Sequence, residues 1–217
     1  DVYKRQLYHF AWDEVCDWYL ELAKVQFAEG DEKRSETTRL VLGAVLDPLL
    51  RALSPVMPFV TEVLWKALTG GPSLVVADWP AVSARVGDEQ AAAVVDDLQR
   101  LITEIRRFRS DQGLQPGQRV AATFEQLEDS GLGEMLPYVR SLARLNAPDD
   151  GFSTTATIEV RLRRATVTVA IDTSGTVDVE AERKRLTKDL AAAEKELSST
   201  TAKLGNCLLY TSPSPRD

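Results

Sequence analysis

The sequence predicts a mainly α protein, in which an antiparallel helical bundle is followed by a small α+β connector and one long helix. Apolar side chains recur every three or four positions between residues 7 and 68, which is typical of amphipathic helices that pack together. From residue 120 every second side chain tends to be apolar, which is typical of strands. From residue 179 apolar side chains follow a heptad, which is typical of a coiled coil.

The first helix is predicted over residues 7–27, where two adjoining apolar stripes lie beside an acidic edge. Two stripes predict a deeply buried helix, against which the remaining elements pack. On this interpretation Cys16 is a small buried hydrophobe. The stripes consist of Ala11, Val15, Trp18, Leu22 and Val25, and of Trp12, Cys16, Tyr19 and Ala23.

Two further helices complete the predicted bundle. Asp31 follows a glycine and can cap the N-terminus of the second helix. Pro48 lies inside that helix and predicts a kink near Asp47. Pro58 suits the first turn of the third helix, because the amide donor that proline lacks is not needed there. The predicted buried face of the third helix consists of Val60, Val63, Leu64, Ala67 and Leu68.

The segment after the bundle is irregular, and Trp79 is predicted to lie against the helices. The next elements are inferred from apolar spacing and from Gly and Pro breakers. In chain order they are a helix over residues 89–111, a strand over 120–124, a short helix over 137–146, and a hairpin with arms at 158–162 and 167–171.

The long helix begins near Val179, and its heptad positions are apolar at most sites as far as Leu204. A heptad seam requires a second helix to pack against. The sequence therefore predicts a seam that needs a partner outside these residues.

Composition limits the classes of function. The formal net charge of −7 argues against unselective nucleic-acid binding, although it allows a local basic patch. Apolar runs stay below the roughly 20 residues that span a bilayer, so no membrane association is predicted and a cytoplasmic protein is expected. Cys16 and Cys207 have no spacing typical of a zinc site or a disulfide framework.

Catalytic motifs are missing from the sequence. His9 is the single histidine, so neither a His pair for a metal nor a well-placed triad is available, and we interpret His9 as a structural or surface residue. The glycines lack the neighbours of a phosphate-binding loop. We therefore expect no catalytic residue, no metal and no cofactor in this chain.

Basic residues occur in two clusters that could bind phosphate, since guanidinium groups form paired hydrogen bonds with phosphate oxygens. An alternative is a solvated face, in which the first cluster pairs with Asp96, Asp97, Glu104 and Asp111. Acidic residues near the second cluster also reduce its net positive charge. The candidate binding residues are Arg100, Arg106, Arg107 and Arg109 in the first cluster, and Arg183, Lys184, Arg185 and Lys188 in the second.

Three ordered stretches resemble valyl-tRNA synthetases, which are class I aminoacyl-tRNA synthetases. Residues 10–24, Phe-Ala-Trp-Asp-Glu-Val-Cys-Asp-Trp-Tyr-Leu-Glu-Leu-Ala-Lys, resemble the helix that opens the anticodon-binding region. Residues 50–65 contain Pro-Val-Met-Pro-Phe-Val-Thr-Glu-Val-Leu-Trp, which is shared with isoleucyl and leucyl relatives. Residues 177–206 are similar to the C-terminal coiled-coil arm.

The resemblance implies a role for each region. Residues 7–72 and their continuation over 73–178 would recognise the anticodon of tRNA(Val), and residues 179–206 would be the first helix of an arm lying along the tRNA corner. The intact enzyme would join valine to tRNA with ATP and Mg²⁺. The ATP-binding signatures of class I enzymes are missing here, so the catalytic and editing domains are expected upstream, and this C-terminal fragment is expected to be inactive alone. A monomer is expected.

The two ends have a different character. Residues 1–6 and 207–217 resemble translated sequencing-adapter tails, and Cys207 belongs to the second of them. We expect both ends to be non-native.

Two alternatives remain open from the sequence. The first is a non-enzymatic helical scaffold, which would bind a protein partner through the heptad seam. The second is the equivalent region of an isoleucyl enzyme, which predicts a cysteine cluster that this sequence lacks.

Overall fold

The computed structural model describes residues 2–29, 31–81, 87–174 and 179–204. In the last range the side chains of Lys184 and Arg185 lie outside the described residues, as do Cys207 and the rest of the C-terminal end. The fold class is as predicted: mainly helical, with one small mixed sheet. None of the described helices is long and apolar enough to cross a membrane.

The first predicted helix is helical throughout but has a π-helical middle. It consists of α1 (Val2–His9), a π-helical segment (Phe10–Tyr19) and α2 (Leu20–Glu29). The amide of Leu20 bonds to the carbonyl of Val15, the five-residue spacing of a π-helix.

The π-helical turn is wider than an α-helical turn, so side chains leave the stripes that a period of 3.6 predicts. Val15 stays buried, whereas Trp12 and Cys16 are exposed, and the predictions of a deeply buried helix and a buried Cys16 are wrong. Trp12 instead stacks on Tyr8 at the surface, with ring centroids 6.3 Å apart.

The second and third helices begin where the sequence predicts. The α3 helix (Glu32–Leu53) is capped by the Asp31 side chain, which accepts a hydrogen bond from the Arg34 amide at 2.7 Å, and it continues through Pro48. The α4 helix (Pro58–Thr69) carries Pro58 in its first turn. It ends at Gly70, whose φ of 62° is a left-handed conformation that glycine adopts without strain.

The predicted buried face of α4 is exposed. Val60, Val63 and Leu64 all face outward, and the buried residue of this helix is Thr61. The reason is that α4 packs on α3 through its other side, where Arg51 of α3 lies 5.9 Å from the ring of Trp65. The apolar stripe therefore points away from the bundle.

Leu74, rather than Trp79, fixes the segment that follows α4. Leu74 is buried, and its amide donates to the Glu62 carboxylate at 2.8 Å. Further along, Arg51 donates to the carbonyl of Asp78 at 3.1 Å. Trp79 is 66% exposed, so the prediction that it lies against the bundle is wrong.

The connector combines two helices and a four-stranded sheet in the order β2-β1-β4-β3. The long helix α5 (Glu89–Asp111) coincides with its predicted range. The short helix is less extensive than predicted, because Leu145 leaves it to pair in parallel with Val120. The remaining elements are β1 (Val120–Glu125), α6 (Leu136–Leu142), β2 (Leu145–Asn146), β3 (Ala156–Arg161) and β4 (Thr166–Asp172).

The predicted hairpin is confirmed. Strands β3 and β4 are antiparallel, with Val160 opposite Val167 and Ile158 opposite Val169. At the turn the amide of Leu162 donates to the carbonyl of Ala165 at 3.0 Å.

The main hydrophobic core lies between α5, α6 and the sheet. Leu101, Ile102 and Ile105 of α5 are fully buried there, together with Val169 and Ile171 of β4. A smaller cluster joins Val15 to Leu49 and Leu53 in the bundle. The element that organises the larger core is therefore α5, not the first helix as the sequence suggested.

The last described element is α7 (Val179–Leu204). Its heptad residues Leu190, Leu197 and Leu204 are exposed. Pairing of this helix with a second one in an arm stays a prediction.

Asp172 at the end of β4 makes the stability of the connector pH-dependent. Its carboxylate accepts hydrogen bonds from the Ser174 hydroxyl and from the amides of Ser153, at 2.9 Å, and Ser174, at 2.8 Å. These bonds, above all the one from the Ser174 hydroxyl, lower the pKa of Asp172. The resulting stabilisation is present above the unfolded-state pKa of about 3.9 and is lost as the pH falls through the lower folded-state pKa.

Asp172→Asn is therefore expected to flatten the decline of Tm as the pH falls below the unfolded-state pKa of about 3.9. Circular dichroism melts at a series of pH values would measure this decline. Asp150→Asn, at an exposed site that holds no such bonds in place, is the matched control. Parallel declines in the Asp172→Asn variant and the unchanged chain would contradict the assignment.

Candidate nucleic-acid interface

Arg109 is a structural residue. It is only 5% exposed, and its guanidinium donates to the carbonyls of Arg144 at 3.2 Å, Gln118 at 2.5 Å and Gln115 at 3.4 Å. Desolvation, followed by the nearby charges of Arg144 and Arg119, lowers its pKa. The prediction that places Arg109 among phosphate-binding side chains is corrected, because its donors are directed at backbone carbonyls inside the protein.

Arg106 holds three elements together. Its Nε donates to the carbonyl of Leu142 at 3.0 Å, and its guanidinium lies 5.6 Å from the ring of Trp18. Desolvation lowers the pKa of Arg106, and the charges of Glu21 and Asp17 oppose that change. Arg106 also lines a cavity of about 300 Å³ together with Lys24 and Arg144, which limits its use for phosphate to that opening.

Arg100, Arg106 and Arg107 are the exposed residues of the predicted basic face on α5, and of these Arg106 is engaged as described above. Two of the four acidic residues suggested as partners of the basic face are engaged elsewhere. Asp96 forms an ion pair with Arg163 at 2.7 Å, and the nearly buried Asp97 accepts a long hydrogen bond from the Arg163 amide. These acids therefore tie α5 to the β3–β4 turn.

The second predicted cluster lies near the start of α7. Arg183 and Lys188 are exposed, and the carbonyl of Arg183 accepts a hydrogen bond from the Thr187 hydroxyl at 2.7 Å. The side chains of Lys184 and Arg185 lie outside the described residues. Phosphate binding by all four residues stays a prediction.

A groove between α2 and α3 was not predicted. It has a volume of about 480 Å³ and is open to solvent. On its floor the Thr38 hydroxyl donates to the Gln26 amide oxygen at 2.7 Å. Burial raises the pKa of the Tyr19 phenol, so the phenol is neutral at physiological pH. The lining residues are Tyr19, Gln26, Asp31, Lys33, Arg34, Thr37, Thr38 and Val41.

This groove combines the groups that bind unpaired nucleotides. An aromatic ring can stack on a base, amides and hydroxyls can bond to base edges, and cations at the rim can bind the flanking phosphates. Lys33 and Arg34 lie in the first turn of α3, where the helix dipole disfavours cations. Cations at a helix N-terminus destabilise the helix, so the position of Lys33 and Arg34 was a sequence signal that these residues serve another purpose, such as binding.

The described residues contain no group of three or more His, Cys, Asp or Glu side chains that could hold a metal ion.

The helical bundle holds an open groove lined by an aromatic ring, an amide, hydroxyls, a carboxylate and two cations. The family described as "Anticodon-binding domain of tRNA ligase" matches residues 2–124, and the chain belongs to this family.

Its relatives at high identity are valine–tRNA ligases, which agrees with the prediction of a valine rather than an isoleucine enzyme. The Nocardia farcinica ligase is 62% identical over 200 residues, which are 92% of this chain and 22% of the relative. The Corynebacterium glutamicum ligase is 54% identical over 213 residues, 93% of this chain and 23% of the relative. The Mycobacterium tuberculosis ligase is 55% identical over 203 residues, which are 92% of this chain and 22% of the relative. The chain thus spans about a fifth of the length of these relatives.

Proposed function

We propose that this chain is the tRNA-recognition part of a valine–tRNA ligase and that its helical bundle binds the anticodon of tRNA(Val). The observation that carries the proposal is the α2–α3 groove, which lies inside the region matched by the anticodon-binding family. Single-stranded loops are recognised through unstacked bases, and this groove has the size and chemistry for one such base.

Each wall of the groove has a separate role in this proposal. Tyr19 offers a ring for stacking, and Gln26 offers an amide whose oxygen lies 2.7 Å from the Thr38 hydroxyl. Lys33 and Arg34 bind the phosphates on either side of the base. The amide supplies base selectivity, whereas the two cations supply affinity.

Exposed cations outside the groove would contact the tRNA backbone. Arg100 and Arg107 on α5 would bind phosphates, and so would Arg183, Lys184, Arg185 and Lys188 on α7 near the tRNA corner. Arg106 would take part only at the edge of its cavity.

The intact ligase would attach valine to tRNA(Val) with ATP and Mg²⁺, bound by its other domains. In this proposal the chain supplies recognition to a monomeric, cytoplasmic enzyme.

Removal of the two groove cations tests the proposal. The double variant Lys33→Ala, Arg34→Ala is expected to weaken tRNA(Val) binding at least tenfold at moderate salt, and to reduce the slope of log K against log salt by about two. Fluorescence anisotropy over a salt series, with tRNA(Val), an anticodon-altered version and an unrelated tRNA, would measure both quantities.

The matched control is Arg161→Ala, Arg164→Ala, which removes the same charge from the β3–β4 hairpin. Equal losses in the two double variants would contradict a specific role for the groove. Gln26→Ala tests selectivity, because it should reduce discrimination against the altered anticodon while leaving the salt slope unchanged. Equal binding of all three tRNAs by the unchanged chain would overturn anticodon recognition.

A further inference from the structure

The α4 helix carries an exposed apolar face, which the proposed function does not use. We define this α4 apolar face as Phe59, Val60, Val63 and Leu64, which share one side of the helix. Phe59 is 87% exposed and Val63 is 68% exposed. The adjoining Val56 and Met57 are exposed as well, so the patch continues beyond the helix start.

The orientation of α4 is the reverse of that of an ordinary surface helix. The side facing α3 carries the polar Thr61, whose hydroxyl bonds to the carbonyl of Met57 at 2.8 Å. Glu62 is also engaged locally, with Lys66 at 2.8 Å and with the amide of Leu74. Contiguous exposed apolar patches of this kind mark interaction sites in soluble proteins.

The chemistry of the face disfavours phosphate as its main ligand. Residues 56–68, all described, contain one cation, Lys66, and it is held in the ion pair with Glu62. A nucleic acid would leave its charges unneutralised here. An apolar protein surface is the complementary partner.

The position of the face indicates which protein surface. Leu7 and Tyr8 of α1 line a mainly apolar groove of about 470 Å³ together with Leu53 and Met57, so the start of the first helix lies beside the start of α4. Two cations also line this groove, and both belong to the N-terminal end that we expect to be non-native: Lys4 and Arg5. In the Nocardia farcinica relative the matched 200 residues are 22% of the chain, so most of that ligase lies outside the matched region.

We propose that the α4 apolar face is the surface on which the part of the intact ligase preceding the first helix docks, through aliphatic and aromatic side chains. This contact would fix the anticodon-binding bundle relative to the rest of the enzyme. The proposal is independent of the groove, because docking is measured without tRNA.

Cysteine accessibility tests the docking. The substitution Val63→Cys is introduced into two proteins. The first is this chain alone. The second is an intact ligase in which this chain replaces the matched 200 residues of the Nocardia farcinica enzyme. Alkylation by a maleimide is followed at the labelled peptide by mass spectrometry. We expect Cys substitution at position 63 to react at least tenfold more slowly in the intact ligase. Val95→Cys, exposed on α5, is expected to react within twofold in both.

A second substitution separates docking from local effects. Adding Phe59→Asp to the intact Val63→Cys ligase should restore the fast alkylation, and because Phe59 is exposed the substitution leaves the bundle folded. Equal alkylation rates at position 63 in the two proteins would overturn the proposal. If alkylation slows as the concentration of this chain alone rises, the face belongs to a contact with a second copy. If alkylation slows only when tRNA is present, the face binds RNA. Either result would overturn the proposal.

Discussion

Ile102→Ala is expected to destabilise the chain by about 2 to 5 kcal/mol, the range for truncation of a buried aliphatic side chain. Ile102 is fully buried in the main core, where α5 packs against α6 and the sheet. The loss combines the transfer free energy of three carbon atoms with the cavity that they leave. Urea unfolding followed by circular dichroism would measure it.

The matched control is Leu190→Ala on the exposed side of α7. Surface substitutions of this kind change the free energy of unfolding by less than about 0.5 kcal/mol. A loss at Leu190 as large as that at Ile102 would show that α7 is packed against another surface.

Arg109→Ala is expected to cost about 2 to 4 kcal/mol, because three carbonyl groups lose the guanidinium that satisfies them. Arg109→Lys should recover little of this loss, since an ammonium group cannot reproduce the planar fork. The exposed Arg107→Ala is the matched control and should stay within about 0.5 kcal/mol. Urea unfolding would measure all three variants.

The same variants separate the two roles considered for the α5 arginines. If Arg109 acted at phosphate, its alanine variant would lose tRNA affinity with unchanged stability. We expect instead that Arg109→Ala loses stability and keeps its tRNA affinity. When tRNA affinity is measured at equal folded fractions, it should therefore fall for Arg107→Ala and stay constant for Arg109→Ala.

Helix limits could be predicted because their signals are local. Asp31, Pro58 and Gly70 act on the turn in which they occur, and the range of α5 follows from its own apolar spacing. The β3–β4 hairpin was predictable for the same reason. By contrast, β2 depends on pairing with β1 across a helical crossover, a contact that spacing within residues 137–146 does not show.

Side-chain environments were harder to predict than elements. Arg107 and Arg109 look alike in a helical pattern, yet only the folded loops at Gln115, Gln118 and Arg144 bury the second one. In the groove, Tyr19 was placed on an apolar stripe, because a period of 3.6 does not describe a π-helical segment. The exposure of the α4 apolar face was not predicted, because apolar spacing shows that a helix has an apolar side but not which element packs against that side.

The sheet order has a consequence for handling this protein in isolation. Both outer strands, β2 and β3, present unpaired backbone groups along one side, and such edges can recruit further strands into aggregates. Here β2 is only two residues long, and β3 carries the charged Glu159 and Arg161 at exposed positions. Short strands and charged side chains both disfavour strand addition at an edge. The two edges of the sheet are therefore protected against strand addition by further copies of the chain.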